Sequence, residues 1–298
     1  MKQRFLTPEL ELNESPEKPT NVASVPQRSP FRYPGGKTWL VPKFRRWMNN
    51  FASRGAVPIL IEPFAGGGII SLTAAFENLA SEIIMVELDE QVAAVWKVIL
   101  EGDAQWLADR IRDFDLTCDS VKKMLEKKTH SLREKAFQTL LKNRTAHGGI
   151  LAGGAGIIKN GENGKGLHSR WYPDTIAKRI KAIESVACKV RFIHGDGFDL
   201  MEKYKVRTDA VFFIDPPYTA GGKSAGSRLY HHYEMDHERL FALSKDIRGD
   251  FLMTYDNAVE VRQLAEKQGF ETRLVPMKNT HHAELNELLI GKNLAWLE

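Results

Sequence analysis

The chain has 298 residues, enough for about two domains, or for one large domain carrying an insertion. Hydrophobic residues make up 43% and charged residues 27%, which excludes a mostly disordered chain, and no apolar run approaches the roughly 18 residues that a membrane span needs. The net charge of +4 is too small to name a partner, and two cysteines, Cys118 and Cys188, exclude a disulfide framework or a cysteine-based zinc site.

Residues 1–28 hold few apolar residues and several prolines, and read as a flexible tail with no signal peptide. From Pro58 the pattern alternates. Val57–Ile61 is a short apolar run ending at Glu62-Pro63, and Gly66-Gly67-Gly68 leads into a helical stretch from Ile69 to about Leu79. Glu82–Val86 is the next strand, followed by Glu87-Leu88-Asp89 and a helix over Glu90–Leu100. This β–α–β–α order predicts an α/β fold with a doubly wound, mostly parallel sheet.

The pattern then changes. Ala104 to about Arg144 is helical and charged, His147–Gly166 reads as a β-hairpin or mobile loop, and Asp174–Val186 is helical again. Between Ser120 and Val190 there are 15 Lys and Arg against 5 Asp and Glu. A basic segment in an otherwise neutral-to-acidic chain suggests a polyanion-binding insertion, although a solvated helical face gives the same charge count. Strand signals resume at Lys189–Ile193, Ala210–Ile214 and Phe251–Thr254, with a helix from about Asp236 to Ile247, and two strands close the chain near Glu271–Met277 and Glu287–Leu294. The expected organisation is a tail (1–28), a first catalytic part (29–103), a helical and hairpin insertion (104–188) and a second catalytic part (189–298).

Three motifs carry chemistry. Glu62-Pro-Phe-Ala-Gly-Gly-Gly68 joins a strand to a helix, where glycines allow close backbone approach, and Glu87 ends the following strand. An acid there is placed to bind ribose hydroxyls, which points to an adenosine-containing cofactor without choosing among NAD, FAD and S-adenosylmethionine. Arg32-Tyr-Pro-Gly-Gly-Lys37 looks like the end of a phosphate-binding loop, but that motif needs glycine at position 31, which is Phe. Asp215-Pro-Pro-Tyr218 directly follows the most apolar strand. The prolines stop the strand and stiffen the chain, leaving Asp215 at its carboxyl end. A carboxylate there can accept an N–H of an exocyclic amine whose lone pair is delocalised into a base, freeing that pair to attack a methyl group. Tyr218 can stack on the base, which must leave the duplex to be reached. His281-His282 reads as a surface pair rather than a metal site, His231-His232 as part of a lid or DNA-contacting loop, and Trp39, Trp47 and Trp96 as packing residues.

Together these residues resemble the D12 class, or Dam-type, family of DNA adenine-N6 methyltransferases. Motif order is kept over about residues 30–295, through Gly195-Asp196, Leu252-Met-Thr-Tyr-Asp256 and Asn286-Glu-Leu-Leu-Ile290. The resemblance implies an S-adenosylmethionine-dependent methyltransferase fold with a helical target-recognition insertion. It implies cofactor contacts from Tyr33, Lys37, Pro63, Phe64, Gly66, Gly68, Glu87, Asp196 and Asp215, and catalysis by Asp215, Pro216, Pro217 and Tyr218. Arg32 stands where the family often places a residue that reaches DNA. Lys142, Arg144, Lys165 and Arg170, in or beside the Gly-rich segment, are the DNA contacts expected in the insertion. No metal is expected. The implied partner is double-stranded DNA, with a possible cognate restriction endonuclease, in the cytoplasm of a bacterial or phage-encoded setting. Three rivals stand beside this reading: an NAD-dependent oxidoreductase, an RNA guanine-N2 methyltransferase sharing Asp-Pro-Pro-Tyr, and a DNA-binding regulator that kept the fold.

Overall fold

The computed structural model describes residues 18–152, 156–161, 164–217, 235–278 and 284–297. Among these, seven strands form one sheet: β1 (Ile59–Glu62), β2 (Glu82–Glu87), β3 (Val190–His194), β4 (Ala210–Ile214), β5 (Asp250–Asp256), β6 (Glu271–Lys278) and β7 (Glu284–Gly291). Their order is β3-β2-β1-β4-β5-β7-β6. The first five run parallel, and β7 runs antiparallel to both β5 and β6. Strand order reverses between β1 and β4. In such sheets the crevice outside the strand ends at the reversal is where ligands bind. The Gly-rich loop after β1 and Asp215 after β4 both open on that crevice.

The central strands are apolar on both faces because helices cover both. Leu60, Ile83, Met85, Val211, Phe213, Leu252 and Leu289 point to one core. The alternate positions Ile59, Ile61, Ile84, Val86, Phe212, Ile214 and Met253 point to the other. This is the two-residue period of a strand buried on both sides. Helices α1 (Val41–Ala52), α2 (Ile69–Glu77) and α3 (Glu90–Leu100) contribute to the first core. Helix α3 starts where Asp89 accepts from the N–H groups of Gln91 and Val92.

The segment between β2 and β3 continues through α4 (Ala104–Arg112), α5 (Cys118–Glu126), α6 (Leu132–Thr145) and α7 (Pro173–Glu184). Leu107, Ile111, Phe137, Leu140, Ile176 and Ile180 are fully buried in the same cluster as the sheet face, so this helical segment shares its apolar core with the sheet. Helices α8 (Gly197–Tyr204), α9 (His237–Asp246) and α10 (Val259–Gln268) lie with the second core.

Several local readings change. The sequence pattern does not predict α1, α8 or α10. Helix α8 is only two turns long, and α10 buries only Val261 and Ala265, so its periodic signal is sparse. The expected hairpin over 147–166 reduces, in its described part, to one antiparallel bridge between Ala146 and Ile157, flanked by two 3-10 turns. Part of the predicted tail is packed. Val25 is 4% exposed, and Arg28 pairs with Glu77 at 2.8 Å while lying over the Phe76 ring. No helix among the described residues is long and apolar enough to cross a membrane.

Candidate active site

The turn Tyr33-Pro-Gly-Gly36 closes with Gly36 N–H donating to the Tyr33 carbonyl at 3.1 Å, and Gly35 sits at φ 72°, a value glycine adopts freely. This turn drives Lys37 inward until it is 3% exposed. Its ammonium donates to the Gly35 carbonyl at 2.7 Å and lies 2.9 Å from Asp215 Oδ1 and 3.2 Å from Glu287 Oε1. Thr254 Oγ1 donates to the same Asp215 oxygen at 2.8 Å. Thus Asp215, ending β4, is gripped from the N-terminal turn, from β5 and, through Lys37, from β7. Pro216 is buried and Pro217 half-buried behind it. Lys37, expected at the cofactor, bridges the Asp215 and Glu287 carboxylates beside the crevice. Thr254 and Glu287 were missed as functional residues. Their signal was present as polar groups inside apolar strand runs, where an unpartnered polar side chain is costly.

The glycines of the Gly-rich loop also have a packing role. Cβ atoms at Gly66 and Gly67 would come within 2.6 and 2.7 Å of the Tyr33 side chain, and one at Gly68 within 2.9 Å of Trp96. These glycines therefore make room for Tyr33 and Trp96. Trp96 is fully buried, as expected, and also supports the loop by donating from Nε1 to the Gly66 carbonyl at 2.9 Å. Glu87 ends β2 next to this loop. Its carboxylate accepts from Gly66 N–H at 2.9 Å and Asp89 N–H at 2.8 Å. Asp196, beyond β3, caps α8 by accepting from Phe198 N–H at 2.9 Å. Phe64 meets Phe198 edge-on at 6.1 Å, and the Pro63 carbonyl lies so close to Gly197 that a Cβ there would sit 2.4 Å from it. The candidate cofactor residues thus converge on the carboxyl ends of β1, β2 and β3, beside Asp215.

Two buried acids beside this crevice have pKa values raised well above the usual carboxylate range. Burial is the main cause for Glu62, pushed from 4.5 up to about 8 against the bonds from the Ser71 N–H and hydroxyl, with Asp215 and Glu87 adding repulsion. Burial likewise pushes Glu87 up to about 7. Raised folded-state values mean that the folded chain holds more protons than the unfolded chain between about pH 4.5 and 8. Stability should therefore fall as pH rises through that window, with the cost fully present above it. Glu62→Gln, which mimics the protonated acid, should flatten the decline; thermal unfolding at pH 5 and pH 8.5 measures it. An unchanged pH dependence in the variant would show that Glu62 is not the group responsible.

The basic residues separate into two kinds. Arg32, half-buried, has both backbone groups clamped by Asn143 of α6, which accepts from Arg32 N–H at 2.8 Å and donates to its carbonyl at 3.0 Å. Asn143 was not foreseen, because nothing local in the sequence links positions 111 residues apart. Burial lowers the Arg32 pKa, and the neighbouring Arg170 guanidinium lowers it further. Arg170 is half-buried and Lys165 exposed. Arg144 corrects its expectation: it is 4% exposed and donates from Nε at 3.1 Å, and also from an Nη, to the Pro30 carbonyl. Burial and the flanking Arg179, Arg32 and Arg170 bring its pKa down to about 9. Its guanidinium ties α6 to the N-terminal motif. Lys142 is half-buried and donates to the Leu151 carbonyl at 2.6 Å. Tyr218, His231, His232, His281 and His282 lie outside the described residues, as do residues 153–155 of the Gly-rich segment.

Residues 33–281, which carry most of this geometry, match the family described as D12 class N6 adenine-specific DNA methyltransferase. The type II methyltransferase M.MjaIII of Methanocaldococcus jannaschii is 23% identical over 245 residues, covering 74% of this chain and 81% of that protein. Among solved structures, an S-adenosylmethionine-dependent methyltransferase from Agrobacterium tumefaciens aligns at TM-score 0.40 and 9% identity, covering 85% of this chain and 60% of that one. The precorrin-6y C5,15-methyltransferase of Geobacter metallireducens aligns at TM-score 0.34 and 11% identity, covering 83% and 84%. The family match spans the Tyr33 turn, the Gly-rich loop, the insertion and Asp215, so the chain belongs to the D12 class N6 adenine-specific DNA methyltransferases.

Proposed function

We propose that this enzyme, an S-adenosylmethionine-dependent DNA adenine methyltransferase, acts on the N6 amine of an adenine rotated out of double-stranded DNA. The observation that carries the reading is the setting of Asp215. It ends the central strand β4, is held by Lys37 and Thr254, and is still 21% exposed at the crevice. The residues fit the cofactor. Glu87 offers acceptors for a ribose diol, Asp196 and Phe64 stand beside it at the neighbouring strand ends, and Asp215 supplies negative charge where a sulfonium would sit. The bound cofactor supplies an electrophilic methyl group. Asp215 then accepts an N–H of the target amine, so that the nitrogen lone pair is drawn out of conjugation and aimed, while Lys37 and Thr254 keep the carboxylate in one orientation. Tyr218 stacks on the displaced base, and Arg32 and Arg170 hold the duplex.

The test is incubation with labelled S-adenosylmethionine and separate DNA and RNA pools, followed by nucleoside analysis. Label in N6-methyladenine from duplex DNA is expected, and label in RNA alone overturns the reading. A 2-aminopurine at the target position should brighten on binding to Tyr218→Ala, which lacks the stacking ring, and no brightening with that variant contradicts base rotation. The further partner we infer is a cytoplasmic restriction endonuclease cutting the same sequence, which DNA methylated by this enzyme should resist.

Glu87→Ala should weaken cofactor binding by about 1–3 kcal/mol, the scale of leaving a buried polar group without its hydrogen-bond partner. It also frees the Gly66 and Asp89 N–H groups, so part of the loss reflects a looser loop. Calorimetry with S-adenosylmethionine reads the effect, and an unchanged dissociation constant removes Glu87 from the site.

A further inference from the structure

Lys37, Asp215 and Glu287 form a largely buried ionic trio, with Lys37 3% and Glu287 8% exposed at their side chains. The two distances from the ammonium, 2.9 Å to Asp215 and 3.2 Å to Glu287, show one cation shared by two carboxylates. A lone Lys37–Asp215 pair would be neutral. With Glu287 the trio carries a net charge of −1. Holding a second carboxylate in a dry site is costly, and strand pairing does not require it: β7 is paired through its backbone, and the neighbours Leu288, Leu289 and Ile290 are apolar.

We propose that Glu287 is a positioning residue that works through Lys37. By sharing the ammonium with Asp215, it adds a second carboxylate beside the crevice, and that added negative charge favours the sulfonium cation of S-adenosylmethionine over the uncharged thioether of the spent product. The enzyme thereby discriminates fresh cofactor from S-adenosylhomocysteine by charge, since the two molecules are otherwise alike apart from the methyl group. The inference rests on the reading above that places the sulfonium beside Asp215.

The test uses the full chain without DNA and compares the affinities of S-adenosylmethionine and S-adenosylhomocysteine by calorimetry, together with thermal unfolding. Glu287→Gln should lower affinity for S-adenosylmethionine by about tenfold, the size of one charge interaction at close range in a partly screened site. Affinity for S-adenosylhomocysteine should change by less than about twofold, so the ratio of the two falls. Glu287→Asp, which keeps the charge, should keep most of the ratio even if its shorter side chain lowers stability. It is the deciding variant if the Gln form does not fold. Asp215→Asn serves as the reference. If it lowers the ratio and Glu287→Gln does not, the role of Glu287 is overturned while the site stands. If neither moves the ratio, the placement of the sulfonium itself fails. Equal losses for both ligands in Glu287→Gln would make Glu287 merely structural and overturn the proposal.

Discussion

Asp215→Ala should reduce methyl transfer by about three powers of ten or more, the scale of removing a preorganised group that stabilises developing charge. The structure adds a second consequence. Truncation removes one of the two carboxylates at the Lys37 ammonium, leaving Glu287 and the Gly35 carbonyl there, and removes the acceptor of the Thr254 hydroxyl. Because Lys37 stays paired with Glu287, the cost is that of unmade hydrogen bonds at a partly exposed site, about 1–3 kcal/mol. The alanine variant should therefore unfold at lower temperature as well as being inactive. Asp215→Asn keeps an oxygen for Lys37 and Thr254, and should recover stability without recovering turnover. Single-turnover methylation of duplex DNA and thermal unfolding separate the two effects. Near-normal turnover in the alanine variant would overturn the mechanism.

The second large effect concerns DNA. Arg32 and Arg170 are half-buried neighbours whose guanidiniums are close enough to depress the Arg32 pKa. Burial is the larger cause of that shift, and a polyanion bound across the two would offset their mutual repulsion. Each guanidinium that meets DNA is worth roughly 1–3 kcal/mol, so the double alanine variant should bind DNA on the order of a hundredfold or more weakly. If both residues meet phosphates, the slope of log affinity against log salt should flatten by about 0.9 for each phosphate no longer neutralised. An unchanged slope with relaxed specificity would instead assign them to base edges. Arg144→Ala should behave differently. It removes the donors to the Pro30 carbonyl, so its main effect should be on thermal stability and on the placement of Arg32, with S-adenosylmethionine affinity little changed. A variant that kept full stability and showed only a flatter salt slope would restore Arg144 to the DNA-binding set.

Part of this was legible without coordinates. Apolar runs such as Ile83–Val86 and Ala210–Ile214, each followed by an acid, report central parallel strands, because a strand buried on both faces has no polar alternation to show. The motif residues Glu62, Glu87 and Asp215 follow from the same rule, since ligands gather where parallel strands end. Short helices such as α8 were illegible, because two turns carry too few buried positions to set a period.

The sequence by itself determined the fold class, the family and the acid that ends β4, since each is written in local patterns of apolar run, glycine, proline and spacing. The tertiary structure alone decided which charges are paired with which. Lys37 lies far in sequence from Asp215 and Glu287, yet meets both, and Thr254 joins them at Asp215, because the sheet order sets β4, β5 and β7 side by side. Arg144 and Arg170 read alike in a basic segment, but one is sealed beneath Pro30 and the other is not. Charge count is additive along a chain, whereas burial depends on which surfaces meet. Whether a cation grips DNA or braces the fold is therefore fixed only when the helices of the insertion close on the N-terminal turn.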